Sequence, residues 1–241
     1  MTKEYKERFY RKWMHAQGLV CFNVCEKETD LWIAADKNLS DNSLRWAKHY
    51  RRQVEDYIKK DKRFLESLAP VKVDKNANFI IKHMASAASL ACVGPMASVA
   101  GAIAQAVGKR LLKNTRQVII ENGGDIFIVS NTERRFSVYA GNSPFGGKII
   151  FKIKPEQTPC GICTSSGTVG HSLSFGKADA VVVTAEDCVV ADAFATSLCN
   201  RVKREKDIEQ VLEIAKGAKV LTGCIVVLGK KIGIWGHMQI C

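Results

Sequence analysis

The sequence contains no uncharged apolar run long enough, and apolar enough, to predict a membrane span. Such a span needs about 20 consecutive, predominantly apolar residues. The longest uncharged stretch, Ala85–Val107, consists mainly of small residues and is interrupted by Gly94-Pro95, so it predicts two buried helices that meet at a turn. The charged segment Met1–Lys12 also lacks the apolar core of a signal peptide. We therefore expect a protein with no membrane segment and a cytoplasmic location.

Acidic residues are scarce relative to basic ones. The chain has 36 Lys and Arg against 24 Asp and Glu, a formal net charge of +12. Residues 1–116 hold 22 of the basic and 12 of the acidic residues, so the surplus is concentrated in the first half. This imbalance favours anionic partners: a phosphorylated small ligand, an acidic protein face or a nucleic acid. Nucleic acid is the least favoured, because no helix-turn-helix, RNP or zinc-finger pattern is present.

The nine cysteines predict no disulfide framework. Their number is odd and no export signal accompanies them, so we expect most of these thiols to be small core residues. The length of 241 residues and the 46% hydrophobic content predict one folded domain over 1–241. Within it we distinguish a basic amino-terminal part, at about 1–75, from a motif-bearing part, at about 76–241.

Hydrophobic periodicity predicts an α+β protein in which antiparallel hairpins are prominent. The predicted strands are Leu19–Val24, Thr29–Ala34, Gln117–Ile120, Asp125–Ser130, Arg135–Ala140, Lys148–Lys154, Ala178–Thr184, Val220–Leu228 and Lys231–Gln239. The predicted helices are Ser43–Leu68, Phe79–Ala91, Met96–Leu112, Val190–Asn200 and Asp207–Gly217. The N–H groups of Met96, Ala97 and Ser98, at the start of the small-residue helix, would favour an anion. Close packing in the core is the simpler interpretation of that helix.

Three segments could carry chemistry, and the first is Glu121–Asp125. Two adjacent glycines between β-branched strands permit positive φ angles and a close approach of the backbone to another surface. A tight hairpin turn is the alternative interpretation.

The second segment is Cys160–His171, in which glycines and hydroxyl residues predict a loop with donors for a phosphate or carboxylate. Cys160 and Cys163 form a Cys-x-x-Cys pair that could bind a metal or act in thiol redox chemistry. No second ligand pair and no thioredoxin-like pattern support either use. His171, taken alone, fits a structural role as well as a catalytic one.

The third segment is the helical run Ala191–Ser197. Asp192 and Thr196 are four residues apart, so their oxygens emerge on one face of the helix. A carboxylate and a hydroxyl in apolar surroundings suit a hard cation such as Mg²⁺. The alternative is that Asp192 caps its own helix, because it lies near the predicted start.

Taken in chain order, these segments resemble the ApbE family of flavin transferases. The elements that carry the resemblance are the small-residue helix, Asn122–Asp125, Thr164–Gly167 with His171 after it, and Ala191–Thr196. The likeness runs from about Gly94 to Cys199. It implies an ApbE-like fold and an enzyme that moves FMN from FAD onto a protein threonine with Mg²⁺. More narrowly, the sequence is similar to a short cytoplasmic branch of the ApbE-like superfamily.

The resemblance also implies roles for particular residues. Asp192, Thr196 and the backbone carbonyl of Ala97 would bind Mg²⁺, and His171 and Asp192 would be the catalytic residues. The residues that would line the flavin-nucleotide cleft are Asn122, Gly123, Gly124, Asp125, Ser165, Ser166 and Gly167.

The sequence departs from the family pattern at two places. Gly94–Gly101 lacks the Asp and Lys that ApbE enzymes usually carry around this helix, and the segment after His171 is shorter. A flavin transferase and an enzyme that cleaves a nucleotide pyrophosphate therefore both remain hypotheses. A non-catalytic protein that binds a ligand or nucleic acid on the same scaffold is the alternative from another class.

Overall fold

The computed structural model describes Arg11 and residues 16–141, 143–168 and 174–241. These residues form an antiparallel sheet of eight strands, whose order across the sheet is β1-β2-β3-β4-β7-β8-β9-β10. Its strands are β1 (Val20–Glu26), β2 (Thr29–Ala35), β3 (Val118–Asn122), β4 (Asp125–Val129), β7 (Cys160–Ser165), β8 (Ala180–Ala185), β9 (Leu221–Leu228) and β10 (Lys231–Gly236). A second sheet has the order β11-β6-β5. It is formed by β5 (Arg134–Ser137), β6 (Ile150–Ile153) and β11 (Gln239–Ile240).

Helices cover one face of the large sheet. They are α1 (Ser40–Lys60), α2 (Arg63–Glu66), α3 (Phe79–Ala91), α4 (Val99–Leu111), α5 (Cys188–Arg201) and α6 (Asp207–Gly217). α4 packs on β3 and β4, α5 packs on β7 and β8, and α3 and α4 both contact α5. Because α5 lies between the sheet and the other helices, most of its side chains are buried, Asp192 among them. This is the element that carries the candidate metal ligands.

The hydrophobic core is divided by the large sheet. One cluster joins the helices to the inner face of the sheet and includes Cys163 and Cys188. The other lies between the opposite face and the small sheet and includes Cys160, Phe151 and Met238. Since side chains alternate along a strand, neighbouring residues of one strand contribute to different cores.

Most predicted elements are confirmed, two of them with the expected bounds, Phe79–Ala91 and Asp207–Gly217. The predicted helix Ser43–Leu68 is wrong as a single element, because α1 ends at Lys60 and Asp61 is extended. The Asp61 carboxylate accepts a hydrogen bond from the Arg63 N–H, a local side-chain-to-backbone bond of the kind that competes with helix formation.

Three further boundaries differ from the prediction. The segment Met96–Leu112 begins as a single 3₁₀ turn, Pro95–Ser98, before α4 starts. The first half of the predicted loop Cys160–His171 is strand β7, paired with both β4 and β8. The last predicted strand ends at Gly236, and the two residues of β11 pair with β6 instead.

No single helix in the described ranges is long and apolar enough to cross a membrane. By length and composition alone, the pair Phe79–Ala91 and Pro95–Leu111, bent by 102°, meets that criterion together.

Candidate functional site

The amino-terminal end of α4 lies directly against α5. At Gly101 there is no room for a side chain, because a Cβ there would lie 2.6 Å from the Cys188 carbonyl oxygen and 2.9 Å from Asp192 Cβ. Real Cβ atoms essentially never approach other atoms below 3.0 Å. Gly101 therefore serves close contact between α4 and α5, in agreement with the packing interpretation of this helix.

Asp192 caps α4 from the neighbouring helix. The Gly101 N–H donates a hydrogen bond of 2.8 Å to Asp192 Oδ2, and the Ala100 N–H also faces this carboxylate. N–H groups in the first turn of a helix have no acceptor within the helix. The Ser98 hydroxyl, at the N-cap position of α4, donates to the Pro95 carbonyl and makes no capping hydrogen bond. A carboxylate on another element supplies the missing acceptor and also interacts favourably with the positive end of the helix dipole.

α5 has a cap of its own, Asp187. Its Oδ1 accepts hydrogen bonds from the Val189 and Val190 N–H groups at 2.9 and 3.2 Å. The alternative that Asp192 caps its own helix is therefore wrong. That helix begins at Cys188, two residues before the predicted start, which places Asp192 in its second turn.

The Gly-Gly turn joins β3 to β4 at the end of the sheet that lies near the start of α4. Gly123 and Gly124 have φ angles of 71° and 103°, in the left-handed region that favours glycine. Glu121 Oε1 accepts the Gly124 N–H at 2.8 Å, and Asn122 Nδ2 donates to the Ala100 carbonyl at 3.1 Å. The hairpin-turn interpretation is confirmed, and the turn is also attached to the start of α4.

Arg11 holds Glu121 from the other side. Its guanidinium donates to Glu121 Oε2 at 2.6 Å and to Asp30 Oδ1 at 2.8 Å. Glu121 is only 1% exposed, so this ion pair supplies the counter-charge that a buried carboxylate requires.

Two further carboxylates, Asp125 and Asp192, are buried close to one another, each 7% exposed. Burial raises the pKa of Asp192 to about 7. Burial, and then the nearby charge of Asp192, raises the pKa of Asp125 well above its usual range. The Cys163 thiol and the Thr164 N–H hydrogen-bond to Asp125 and oppose that shift. In the described part of the chain, no Lys, Arg or His forms a salt bridge with either carboxylate.

The end of β7 lies beside the Gly-Gly turn. A Cβ on Gly124 would meet the Thr164 carbonyl oxygen at 3.7 Å. Ser165 ends the strand and is buried, so only the residues after it form the predicted loop. In that loop the Ser166 hydroxyl accepts the Thr168 N–H at 3.1 Å, and the Gly167 N–H donates to the Ala178 carbonyl at 2.9 Å. The structure thus brings the two predicted cleft segments together.

The three predicted metal ligands share one region. Thr196 lies one turn beyond Asp192 on α5 and is partly exposed, while the 3₁₀ turn that contains Ala97 packs on α5. Among the described residues there is no group of three or more His, Cys, Asp or Glu side chains placed to hold a metal. A site here would depend on one carboxylate, a hydroxyl and a carbonyl. His171, the other candidate catalytic residue, lies outside the described residues.

A polar network that the sequence did not reveal lies at the start of α5. Asp187 Oδ2 is 2.8 Å from His83 Nε2 and 3.1 Å from Gln105 Nε2, and Gln105 Oε1 accepts the Cys188 N–H at 2.8 Å. Although burial opposes the change, these hydrogen bonds lower the pKa of Asp187 to about 2. Gln105 follows Gly101 by one helical turn, so both belong to the α4 face that contacts α5. This four-residue spacing is the feature of the sequence from which the position of Gln105 could have been predicted.

The basic side chains of the amino-terminal part are largely paired. Among the described residues, and besides Arg11, those within 4 Å of a carboxylate are Lys27, Lys48, Arg51, Arg52, Lys59, Lys60 and Arg63. Exposed pairs of this kind contribute little stability, but they place acids among the bases on α1. The expected acidic protein partner stays a prediction.

A family model described as "AbpE bacteria" matches residues 11–217. The chain belongs to this family. UPF0280 proteins are similar to it over most of their length. That of Methanocaldococcus jannaschii is 43% identical over 218 residues, with 88% of each chain covered. That of Methanococcus aeolicus is 40% identical over 223 residues, with 90% of this chain and 89% of the relative covered.

Solved structures confirm the predicted ApbE-like α+β fold. The Thermotoga maritima ApbE protein has a TM-score of 0.64 at 13% identity, covering 89% of this chain and 96% of its own. The flavin transferase ApbE of Vibrio cholerae has a TM-score of 0.61 at 13% identity, covering 90% and 96%. At this identity the likeness shows the fold, while the roles assigned to individual residues remain predictions.

Proposed function

We propose that this protein binds a flavin nucleotide, or another phosphorylated ligand, together with Mg²⁺ beside Asp192 and acts on the phosphate groups of that ligand. One observation carries the proposal. Asp125 and Asp192 are buried near each other, with no salt-bridge partner among the described residues. Two such carboxylates disfavour each other's ionised form. A bound divalent cation would relieve this repulsion, and cation binding would therefore explain why two carboxylates without a basic partner are buried here.

The donor chemistry fits Mg²⁺. The Asp192 carboxylate, the Thr196 hydroxyl and the Ala97 carbonyl are all hard oxygen donors, and Mg²⁺ usually combines a few such protein ligands with waters and phosphate oxygens. Asp192 Oδ2 is held by the Gly101 N–H, so Oδ1 is the oxygen that would bind the cation. When bound, the cation neutralises phosphate charge and stabilises a leaving phosphate oxygen.

The remaining cleft residues would position the ligand. Gly123 and Gly124 expose backbone at the turn, and Ser166 and Gly167 lie on the loop after β7. The Asn122 amide nitrogen donates to the Ala100 carbonyl, so Asn122 holds the turn against α4 and keeps its oxygen and its second N–H for other partners. His171, four residues after Gly167 in the sequence, is proposed as a proton-transfer group. The V. cholerae protein of this fold is a flavin transferase by its title, which makes FAD the first ligand to test.

The proposal is tested by titrating FAD into the purified protein with and without Mg²⁺ and measuring affinity by calorimetry. Asp192→Asn keeps an acceptor for the Gly101 N–H but removes the charge. We expect at least about a tenfold loss of the Mg²⁺-dependent affinity, equal to about 1.4 kcal/mol. Asp187→Asn is the matched control, because Asn is also a good N-cap and Asp187 lies outside the proposed ligand set. Equal Mg²⁺-dependent affinity in Asp192→Asn and the unmodified protein would refute the metal assignment.

Product analysis then separates the two reactions. Transfer of FMN onto protein threonine releases AMP and adds the FMN mass to an acceptor peptide, whereas pyrophosphate cleavage by water releases free FMN and AMP. Mg²⁺-dependent FAD binding that yields neither product would identify a binding protein on this scaffold.

A further inference from the structure

The structure separates the two cysteines of the Cys-x-x-Cys motif. Cys160 and Cys163 lie on strand β7, an odd number of residues apart, so their side chains point to opposite faces of the sheet. Cys160 belongs to the core under the small sheet and Cys163 to the core under the helices. The motif is therefore not a dithiol pair, and redox or metal use of these two residues together is wrong.

Cys163 has a different partner, Cys188. Their Sγ atoms are 3.6 Å apart in the buried layer between β7 and α5. Gly161 makes this contact achievable, since a Cβ there would lie 2.3 Å from Cys188 Cα. The missing side chain lets the first residue of α5 sit directly on the strand. The two thiols are 25 residues apart in sequence, so no spacing motif could have identified them.

We propose that Cys163 and Cys188 are a redox modification site, at which a peroxide converts the two thiols into an intramolecular disulfide. Cys188 attacks a peroxide oxygen and becomes a sulfenic acid, with one water released. Cys163 then attacks the sulfenic sulfur, the S–S bond forms, and a second water leaves. The two thiols lose two electrons and two protons, and one hydrogen peroxide becomes two waters. The sulfurs must approach from 3.6 Å to about 2.0 Å, so the two side chains must move toward each other.

The other cysteines are worse placed for this reaction. Among the described residues no other two Sγ atoms lie within hydrogen-bonding distance of each other, and Cys21, Cys25, Cys92 and Cys241 are exposed. Burial raises the pKa of Cys163 well above its ordinary value, so oxidation at the pair is slow compared with that of an exposed thiol. A slow but specific reaction is the expected behaviour.

The bond would form beside the buried carboxylates. The Cys163 thiol donates to the Cys188 carbonyl at 3.5 Å and also faces Asp125, and Cys188 precedes Asp192 by about one turn on α5. Oxidation would remove the thiol proton that these two acceptors face and fix the start of α5 on β7. This inference does not depend on the proposed ligand or metal, so either can fail without the other.

The test uses the full chain with Cys21, Cys25, Cys92 and Cys241 replaced by Ser, which leaves the five buried cysteines Cys160, Cys163, Cys188, Cys199 and Cys224. The protein is incubated with hydrogen peroxide, denatured, alkylated and digested without reductant. We expect two alkylation sites to be lost and a peptide pair linking Cys163 to Cys188, lighter than the separate peptides by two hydrogen atoms. Dithiothreitol should restore both sites.

Three matched variants complete the experiment. Cys188→Ser should abolish the loss of alkylation, whereas Cys199→Ser and Cys224→Ser should leave it unchanged. A linked pair involving Cys160, Cys199 or Cys224, or five alkylatable thiols after full exposure to peroxide, would overturn the proposal. Because the peptide is mapped in protein that retains both thiols, the result stands even if Cys188→Ser fails to fold.

Discussion

Replacing Gly101 by Ala tests the contact between α4 and α5, which holds the candidate site together. An added Cβ would meet the Cys188 carbonyl oxygen at 2.6 Å and Asp192 Cβ at 2.9 Å, and both are atoms of a rigid, buried helix. Overpacking of this kind costs about 1–3 kcal/mol. Moving α4 away also weakens the Asp192 cap, which is worth about 1 kcal/mol. Against this, Ala has a better helix propensity than Gly by about 1 kcal/mol.

The weakened cap and the better helix propensity of Ala roughly cancel, so the overpacking remains. We expect Gly101→Ala to lower the free energy of unfolding by about 1–3 kcal/mol. For a chain of this size that corresponds to about 2–4 °C in Tm for each kcal/mol. Urea denaturation followed by circular dichroism measures it. Gly217→Ala is the control, because Gly217 is also helical and nothing lies within 4 Å of a Cβ there; its stability should be unchanged or slightly raised. If Gly101→Ala is as stable as Gly217→Ala, the steric reasoning is refuted.

Further predictions concern other named interactions. The pKa of Asp187, lowered to about 2, means that its network stabilises the folded state above about pH 4, and that this contribution is lost as the pH falls from 4 to 2. Because Asp187 is one-third exposed, we expect this contribution to the free energy of unfolding to be only about 1 kcal/mol. Urea titrations at pH 3 and 6 should show a smaller change in stability with pH for Asp187→Asn than for the unmodified protein. An equal change in both proteins would contradict the assignment. Gly124→Ala, at a φ of 103°, should cost about 1–2 kcal/mol in thermal or urea unfolding, and no cost would show that the turn relaxes. Asn122→Ala should cost about 1 kcal/mol through loss of the bond to the Ala100 carbonyl, and a neutral result would mean that water replaces the amide.

Periodicity predicted most of the fold because most elements have one apolar face. The helices Phe79–Ala91 and Asp207–Gly217 are amphipathic and end at clear breaks, so their bounds could be predicted. Strand β7 could not, because Ile162 is the only large apolar residue in Cys160–Ser165, which otherwise contains cysteine, glycine, threonine and serine. On the face that α5 covers, Gly161 lies so close to Cys188 that a larger side chain has no space. The small and hydroxyl residues of the longer segment that begins with β7 therefore predicted a ligand-binding loop, whereas in its first half they belong to a strand packed against a helix.

The candidate site shows the same division between local and long-range information. The pairing of Asp192 and Thr196 is a matter of helical spacing and needed no structure. The hydrogen bond from Gly101 to Asp192 joins residues 91 positions apart, and only the packing of α4 on α5 creates it. Because the predicted start of α5 was two residues late, Asp192 was considered as a cap of its own helix and Asp187 was not. Arg11, which holds Glu121, gave no signal in the sequence.

The cap that Asp192 provides to α4 also links occupancy of the site to the behaviour of two backbone amides. The Ala100 and Gly101 N–H groups depend on that carboxylate for their acceptor, so any cation that draws charge from it weakens their hydrogen bonds. Their hydrogen-exchange rates and proton chemical shifts should therefore respond when a metal binds, even if no reaction takes place. A ligand that stabilises the folded state by mass action while accelerating exchange at these two amides would reveal its position without any label on the ligand.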